Sequence, residues 1–140
     1  MFYKIIYIGR WAYKQKFPIV PGLMTKILRL IYSCDIPCYM DIPKSVRFAH
    51  KGLGVAINQG TRIGENVFIQ QGVTLGKKEK DGGCPTILNN VYIGTGAIIL
   101  GDIVIGENSN IGAGSVVIND VPPNSTCVGV PGKIVRGRAK

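Results

Sequence analysis

Histidine occurs once in these 140 residues, at His50, and acidic side chains are scarce, with 8 Asp and Glu against 17 Lys and Arg. A single histidine excludes a three-histidine metal centre, and Cys34 and Cys38 do not complete an ordinary zinc site around it, so no metal is expected. Long apolar runs are also missing. A membrane-spanning helix needs about 20 apolar residues in succession, and the stretch from Val91 to Ile105 is broken by Gly94, Thr95, Gly96, Gly101 and Asp102. Met1 to Tyr13 lacks the apolar core and small-residue cleavage site of a secretory leader, so Cys34, Cys38, Cys84 and Cys127 read as reduced thiols of a cytoplasmic protein rather than as a disulfide framework. No nucleic-acid module and no aromatic run along a basic face is present. The basic excess is therefore assigned to a phosphorylated ligand, with no nucleic-acid partner expected.

Acid is absent from both ends of the chain. Residues 1–34 carry Lys4, Arg10, Lys14, Lys16, Lys26 and Arg29, and the tail carries Lys133, Arg136, Arg138 and Lys140. Residues 3–16 and 22–33 read as helices separated by Pro18 and Pro21, the second placing Leu23, Met24, Ile27, Leu28 and Ile31 on one face. Residues 1–33 are expected to form a helical cap over the next segment. Their alternative use is peripheral attachment to the inner face of a membrane, through a basic amphipathic surface with Phe2, Tyr3, Tyr7 and Trp11 at the interface.

What the chain has in abundance is period. An aliphatic residue returns at every sixth position through Ile57, Ile63, Ile69 and Leu75, then through Ile87, Ile93, Ile99, Ile105, Ile111 and Val117. Small or β-branched residues stand four places after most of them (Thr61, Val67, Val73, Val91, Ala97, Ser109, Ser115). Six is neither the helical 3.6 nor the strand period of 2, so it belongs to a repeated strand-and-turn unit. Three such units close one triangular coil, and Gly or Asn takes the turn conformations that a Cβ resists. The predicted fold is all-β, a parallel β-helix of hexapeptide repeats with a short helical segment in front.

The period breaks at two places, and departures from a regular solenoid are where function concentrates. One break surrounds His50; Phe48 follows Ile42 and Ile36 by sixes, and the register then slips before Ile57. The other is a charged, glycine-containing loop (Lys77 to Cys84) between Leu75 and Ile87.

The hexapeptide array, Cys34-Asp35-Ile36-Pro37, a histidine fifteen residues after that Asp, Gln71 to Gly76, and the ending Ile111 to Val117 through Val121-Pro122-Pro123 to Gly129-Val130-Pro131-Gly132-Lys133 together resemble the serine acetyltransferase group of left-handed β-helix acyltransferases. The likeness spans residues 34–137, taken as one domain with an extruded loop at 77–86 and a tail at 138–140. It implies a left-handed coil and a homotrimer with active sites between subunits. Acetyl-CoA would be the acyl donor, lying along the coils. His50 would be the general base, with Asp35 orienting it and Asp41 the second choice of partner. Imidazole chemistry suits the role, because a hydroxyl is too weak an acid to attack a thioester unaided near neutrality. Backbone donors near Gly76 and Lys77 would hold the oxyanion. Thr95 and Ala113 would let the pantetheine arm lie close, and Lys133 and Arg136 would meet the CoA phosphates.

Departures from the pattern bear on the acceptor. Where the family carries an Arg-His pair before a Pro, this chain has Gly83 and Cys84, and Ala49 replaces the Asp before the histidine. A free amino acid would lose charge-assisted contacts at those positions, each worth about 1.5 to 3 kcal/mol. The large helical N-terminal domain of the group is expected to be missing here. The pattern is closer to the capsule and exopolysaccharide O-acetyltransferases of colanic acid type, so the expected acceptor is a sugar hydroxyl in surface polysaccharide synthesis, with serine as the alternative. A second alternative is a non-catalytic solenoid; the γ-type carbonic anhydrases are excluded by the single histidine.

Overall fold

The computed structural model describes residues 1–135. Arg136, expected near the CoA phosphates, lies outside them. Two helices lead, α1 (Phe2–Lys14) and α2 (Ile19–Tyr32). Thirteen short strands follow: β1 (Arg47–Phe48), β2 (Ala56–Ile57), β3 (Arg62–Ile63), β4 (Phe68–Ile69), β5 (Thr74–Gly76), β6 (Thr86–Ile87), β7 (Tyr92–Ile93), β8 (Ile98–Leu100), β9 (Val104–Ile105), β10 (Asn110–Ile111), β11 (Val116–Val117), β12 (Thr126–Val128) and β13 (Lys133–Val135). They form three sheets, ordered β1-β4-β7-β10-β12-β13, β2-β5-β8-β11 and β3-β6-β9. All pairings between named strands are parallel except that β13 folds back antiparallel on β12. Each strand pairs with the strand one coil further on, which is a parallel β-helix with three faces.

The sixfold aliphatics align in register, Ile57 on Leu75 on Ile99 on Val117 along one face and Ile69 on Ile93 on Ile111 along another. They are almost wholly buried. Full burial of such a side chain contributes about 1.5–3 kcal/mol, and the column is continuous because every coil repeats it.

The repeat glycines do two different jobs. Those that follow the aliphatics, such as Gly64, Gly94 and Gly106, do not have positive φ. They are glycine because the next coil lies against them: a Cβ on Gly94 would stand 2.6 Å from Ala113 N, and one on Gly106 would stand 2.4 Å from Pro123 N. The left-handed turn positions are Gly54, Gly72, Gly96 and Gly114 in one row, and Asn66, Asn90, Asn108 and Asn124 in another. The asparagines stack through their side chains, each amide of Asn66, Asn90 and Asn108 donating to the next at 3.2 to 3.3 Å.

Pro18 alone separates the helices. Pro21 lies inside α2 instead of before it, because the first helical turn has no use for the N–H that proline lacks. The helices rest on the first coil, whose Ile36, Ile42 and Phe48 extend the buried column upstream. Gly9 permits this approach, since a Cβ there would fall 2.4 Å from Cys38 Cβ. Polar contacts fix the orientation: Phe48 N donates to the Tyr3 hydroxyl at 3.0 Å, Cys38 N to Thr25 Oγ1 at 3.1 Å, and Arg10 to the Ile42 carbonyl at 3.2 Å.

Candidate functional site

The register slip around His50 is taken up by a tight turn, Ala49–Gly52. Its back is packed, because Gly52 is buried within van der Waals reach of the Phe2 ring. His50 consequently projects into solvent. The turn is strained. His50 (φ 47°, ψ 35°) and Lys51 (φ 55°, ψ 36°) are consecutive non-glycine residues in left-handed conformation, a geometry that costs about 1–2 kcal/mol per residue and that accumulates at functional sites.

Asp35 is held by the neighbouring coil, its N–H donating to Val55 O at 2.8 Å and its carbonyl accepting from Ile57 N at 2.9 Å. Its carboxylate faces α2. Arg29 donates through Nε at 3.0 Å and through Nη2 at 2.8 Å to each carboxylate oxygen. Among the described residues no hydrogen bond joins Asp35 to His50. Asp41 is ion-paired with Arg10.

Asp35 lies in a cleft of about 590 Å³ that it shares with Lys77, with Lys26 and Arg29 of α2, and with Tyr39, Asn58 and Gln59. The extruded loop borders this cleft, since the half-buried Cys84 thiol donates to Asn58 Oδ1 at 3.3 Å. Gly83 is pressed against the next coil, where a Cβ would stand 2.6 Å from Asp102 Cβ. No larger residue fits there in this conformation. A wider cleft of about 830 Å³, lined by Arg10, Asp41, Lys44, Arg62 and Glu65 among others, holds none of the expected site residues other than Asp41.

Thr95 and Ala113 lie one above the other on the row of left-handed glycine turns. Gly72 N donates to Leu53 O, Gly96 N to Gln71 O and Gly114 N to Thr95 O, at 2.8 to 2.9 Å. This row starts just after the His50 turn and leaves Thr95 and Ala113 exposed. Gln71 Oε1, on the same row, is buried with no hydrogen-bond partner among the described residues. Gly76 lies in β5, its carbonyl accepting from Gly101 N at 3.0 Å. Lys133 is exposed at the start of β13, paired with Val128.

Burial pushes the Cys34 and Cys38 thiols up to about 11 and raises Cys127 as well. For Cys34 the neighbouring Cys38 and Asp35 add to the effect. All three are poor nucleophiles near neutrality. No cluster of three or more His, Cys, Asp or Glu side chains gathers among the described residues, and no described helix is long and apolar enough to cross a membrane.

Lys26 and Arg29 line this cleft without any signal in the sequence, because on a helix they read as an ordinary solvent face. Their role in the cleft arises only when α2 packs beside Asp35. Asn58 carried no signal beyond its place in a turn.

Residues 84–119 match the family described as bacterial transferase hexapeptide (six repeats). The serine acetyltransferase of Synechococcus elongatus is 42% identical over 130 residues, covering 91% of this chain and 53% of the relative. That of Bacillus subtilis strain 168 is 45% identical over 130 residues, covering 91% and 59%. The crystal structure of the Brucella abortus strain S19 serine acetyltransferase in complex with coenzyme A superposes with a TM-score of 0.90 at 33% identity, covering 97% of this chain and 55% of that one. The chain thus spans little more than half the length of these relatives. The matched length exceeds the stretch from Cys34 onward, so the likeness continues into the helices and is not confined to residues 34–137.

These relatives overturn the sugar acceptor expected from the sequence. That expectation rested on the missing charges at Ala49, Gly83 and Cys84. It overlooked the cations that α2 and Lys77 bring to the cleft beside Asp35. The polysaccharide assignment falls with it. The chain is thus similar to the serine acetyltransferases over nine-tenths of its length, and it carries a bacterial transferase hexapeptide match at residues 84–119.

Proposed function

We propose that this protein is an acetyl-CoA-dependent acyltransferase that acetylates the hydroxyl of serine, working as a homotrimer of left-handed coils with active sites between subunits. The observation that carries the reading is the alignment of nine-tenths of the chain with serine acetyltransferases at 42–45% identity. It is supported by the strained, exposed His50 at the register slip.

In this reading His50 takes the proton of the serine hydroxyl as its oxygen attacks the thioester carbonyl carbon. The tetrahedral oxyanion is held by backbone N–H groups near Gly76 and Lys77. The C–S bond then breaks, and the proton passes from His50 to the departing CoA sulfur. Asp35 serves either to orient the imidazole or, through its pairing with Arg29, to position a cation. A serine carboxylate would meet Arg29, Lys26 and Lys77, and its ammonium would meet Asp35. Cys84 and Gly83 border the acceptor end, and Ala49 neighbours the base.

The row of left-handed turns is the track for the donor, with Thr95 and Ala113 leaving room for the pantetheine arm. Gln71 Oε1 fits this role, because a buried acceptor without a partner is what a pantetheine amide N–H would satisfy. Lys133 and Arg136 would meet the CoA phosphates. Residues 1–33 act as the cap on the first coil, and the thiols stay reduced in the cytoplasm.

The test is thiol release from acetyl-CoA with L-serine as acceptor and mass-spectrometric detection of O-acetylserine. A kcat/KM in the ordinary enzymatic range, about 10⁴ M⁻¹s⁻¹ or above, is expected. Absence of O-acetylserine at millimolar serine from a folded trimer overturns the reading.

A further inference from the structure

Both helices bury one side against the β-helix and each other and turn the opposite side outward. In α1 the buried residues are Phe2, Ile5, Ile6, Gly9 and Ala12. The opposite stripe is Lys4, Ile8, Trp11 and Gln15. In α2 the face that holds Pro21 and Leu28 is buried, Thr25 touching Cys38 and the Leu28 carbonyl touching the Cys34 thiol. Its opposite stripe is Ile19, Leu23 and Leu30. Since both buried faces look toward the first coil, both stripes look away from it and form one surface at that end of the molecule.

This surface is unusually apolar for solvent. Leu30 is 87% exposed, Ile19 79%, Trp11 59% and Phe17 52%. The Trp11 and Phe17 rings lie 6.1 Å apart, bridging the two helices at the turn between them. A largely apolar hollow is lined by Lys4, Tyr7, Ile8 and Trp11. Among isolated surface residues this would need no explanation; as a contiguous patch on one face it marks a contact.

The charge decides what fits it. Residues 1–34 contain six Lys and Arg and no Asp or Glu. Arg10 and Arg29 are paired with Asp41 and Asp35, whereas Lys4, Lys14 and Lys16 have no ion-pair partner among the described residues. A second copy of the same patch would bring cation against cation. An anionic partner that is also apolar below its surface has the complementary character, and a bilayer with acidic headgroups has both. The aromatic and aliphatic side chains enter the headgroup boundary while the lysine stems lie along it and keep their ammonium groups at the phosphates.

We infer that the outer face of the α1–α2 pair is a peripheral docking surface for an anionic lipid bilayer. Such a surface holds the acyltransferase at a membrane without a spanning helix. It lies on the end of the coil formed by the helices, apart from the turn row proposed for the acyl donor.

The chain carries one tryptophan, and it lies on the patch, so intrinsic fluorescence reports the contact. The experiment titrates the full chain with vesicles of phosphatidylglycerol mixed with phosphatidylcholine, and with phosphatidylcholine alone, following Trp11 emission and co-sedimentation. A blue shift with quenching by brominated acyl chains is expected on anionic vesicles only, weakening with salt. Lys14→Gln with Lys16→Gln should reduce the partition coefficient roughly tenfold or more, because each lysine near an anionic surface contributes separately. Ile19→Glu with Leu30→Glu should abolish insertion while thiol release from acetyl-CoA persists.

Sedimentation velocity without lipid accompanies each variant. Absence of any Trp11 shift on anionic vesicles, equal binding to neutral vesicles, or a drop in oligomer size in the Ile19→Glu, Leu30→Glu variant would each overturn the proposal, the last by assigning the face to another copy of the chain. None of these outcomes depends on the acceptor being serine.

Discussion

Two glycines in the same turn, Gly94 and Gly96, should respond to substitution in opposite ways. Gly94 is constrained by space. A Cβ there would lie 2.6 Å from Ala113 N, 2.9 Å from Gly112 C and 2.9 Å from Ile111 O, all backbone atoms of the next coil. Ordinary contact begins near 3.4 Å, so the coils must part by about 0.8 Å. Gly94 N donates to Ile111 O at 2.8 Å; parted by that much, the bond passes beyond about 3.5 Å and is lost. A buried donor left unpaired costs about 1–3 kcal/mol and overpacking a further 1–3 kcal/mol, which puts Gly94→Ala at about 2–6 kcal/mol. Gly96 is constrained by φ alone. It has φ +66° and nothing within 4 Å of a Cβ, so Gly96→Ala should cost about 1–2 kcal/mol. Gly96→Asn should cost less, since asparagine already holds φ 56° to 58° at four other turns of this protein. Urea unfolding followed by circular dichroism, at one fixed chain concentration because assembly contributes to stability, gives the three values. A Gly94→Ala within about 1 kcal/mol of the parent, or a Gly96→Asn as costly as Gly94→Ala, would refute these assignments. Because Gly94 presses directly on Ala113, Gly94→Ala should also weaken CoA binding, which calorimetry would read.

His50→Ala should lower kcat about 10² to 10⁴-fold, the usual share of a general base, with circular dichroism and oligomer size unchanged; full activity in this variant would remove His50 from the mechanism. Arg29→Gln should raise the KM for serine about 10 to 100-fold, from loss of one charge-assisted contact, while leaving the KM for acetyl-CoA near its parent value; the reverse pattern would place Arg29 at the donor. Native alkylation at pH 8 should label Cys84 ahead of Cys34, Cys38 and Cys127, as peptide mapping would show, because those three are buried and hold their protons more tightly. Cys34 and Cys38 also predict a pH dependence of stability. Their folded values near 11 lie above the 9.0 of the free thiol, so the unfolded chain loses protons first. The stability they contribute is intact below pH 9 and declines as pH rises from 9 toward 11; replacing both with Ala should flatten that decline in denaturation curves taken across the range.

The coil was legible because its physics is local. Each aliphatic at the sixth position, each small corner residue and each Asn or Gly turn makes the same contribution to its own coil, so the period written in Ile57 through Val117 is the fold. The two breaks were legible for the same reason, as interruptions of that period, and they pointed to His50 and to the loop bearing Cys84. The reading of the glycines was only half right, because a sequence does not distinguish a residue that needs positive φ from one whose neighbour lies too near; Gly96 and Gly94 look alike until the next coil is in place.

The cation lining of the cleft beside Asp35 was not legible in the sequence. Lys26 and Arg29 are indistinguishable in the sequence from other cations of an amphipathic helix, and Ala49, Gly83 and Cys84 read as a loss of charge. Only the packing of α2 on the first coil sets Arg29 at 2.8 Å from Asp35 and lines the cleft with cations. The chain by itself determined the repeated unit, since that depends on contacts within one coil and between it and the next. The electrostatics of the cleft and the apolar outer face of the helix pair were decided by tertiary structure, because both depend on which side of a helix is turned toward the coil.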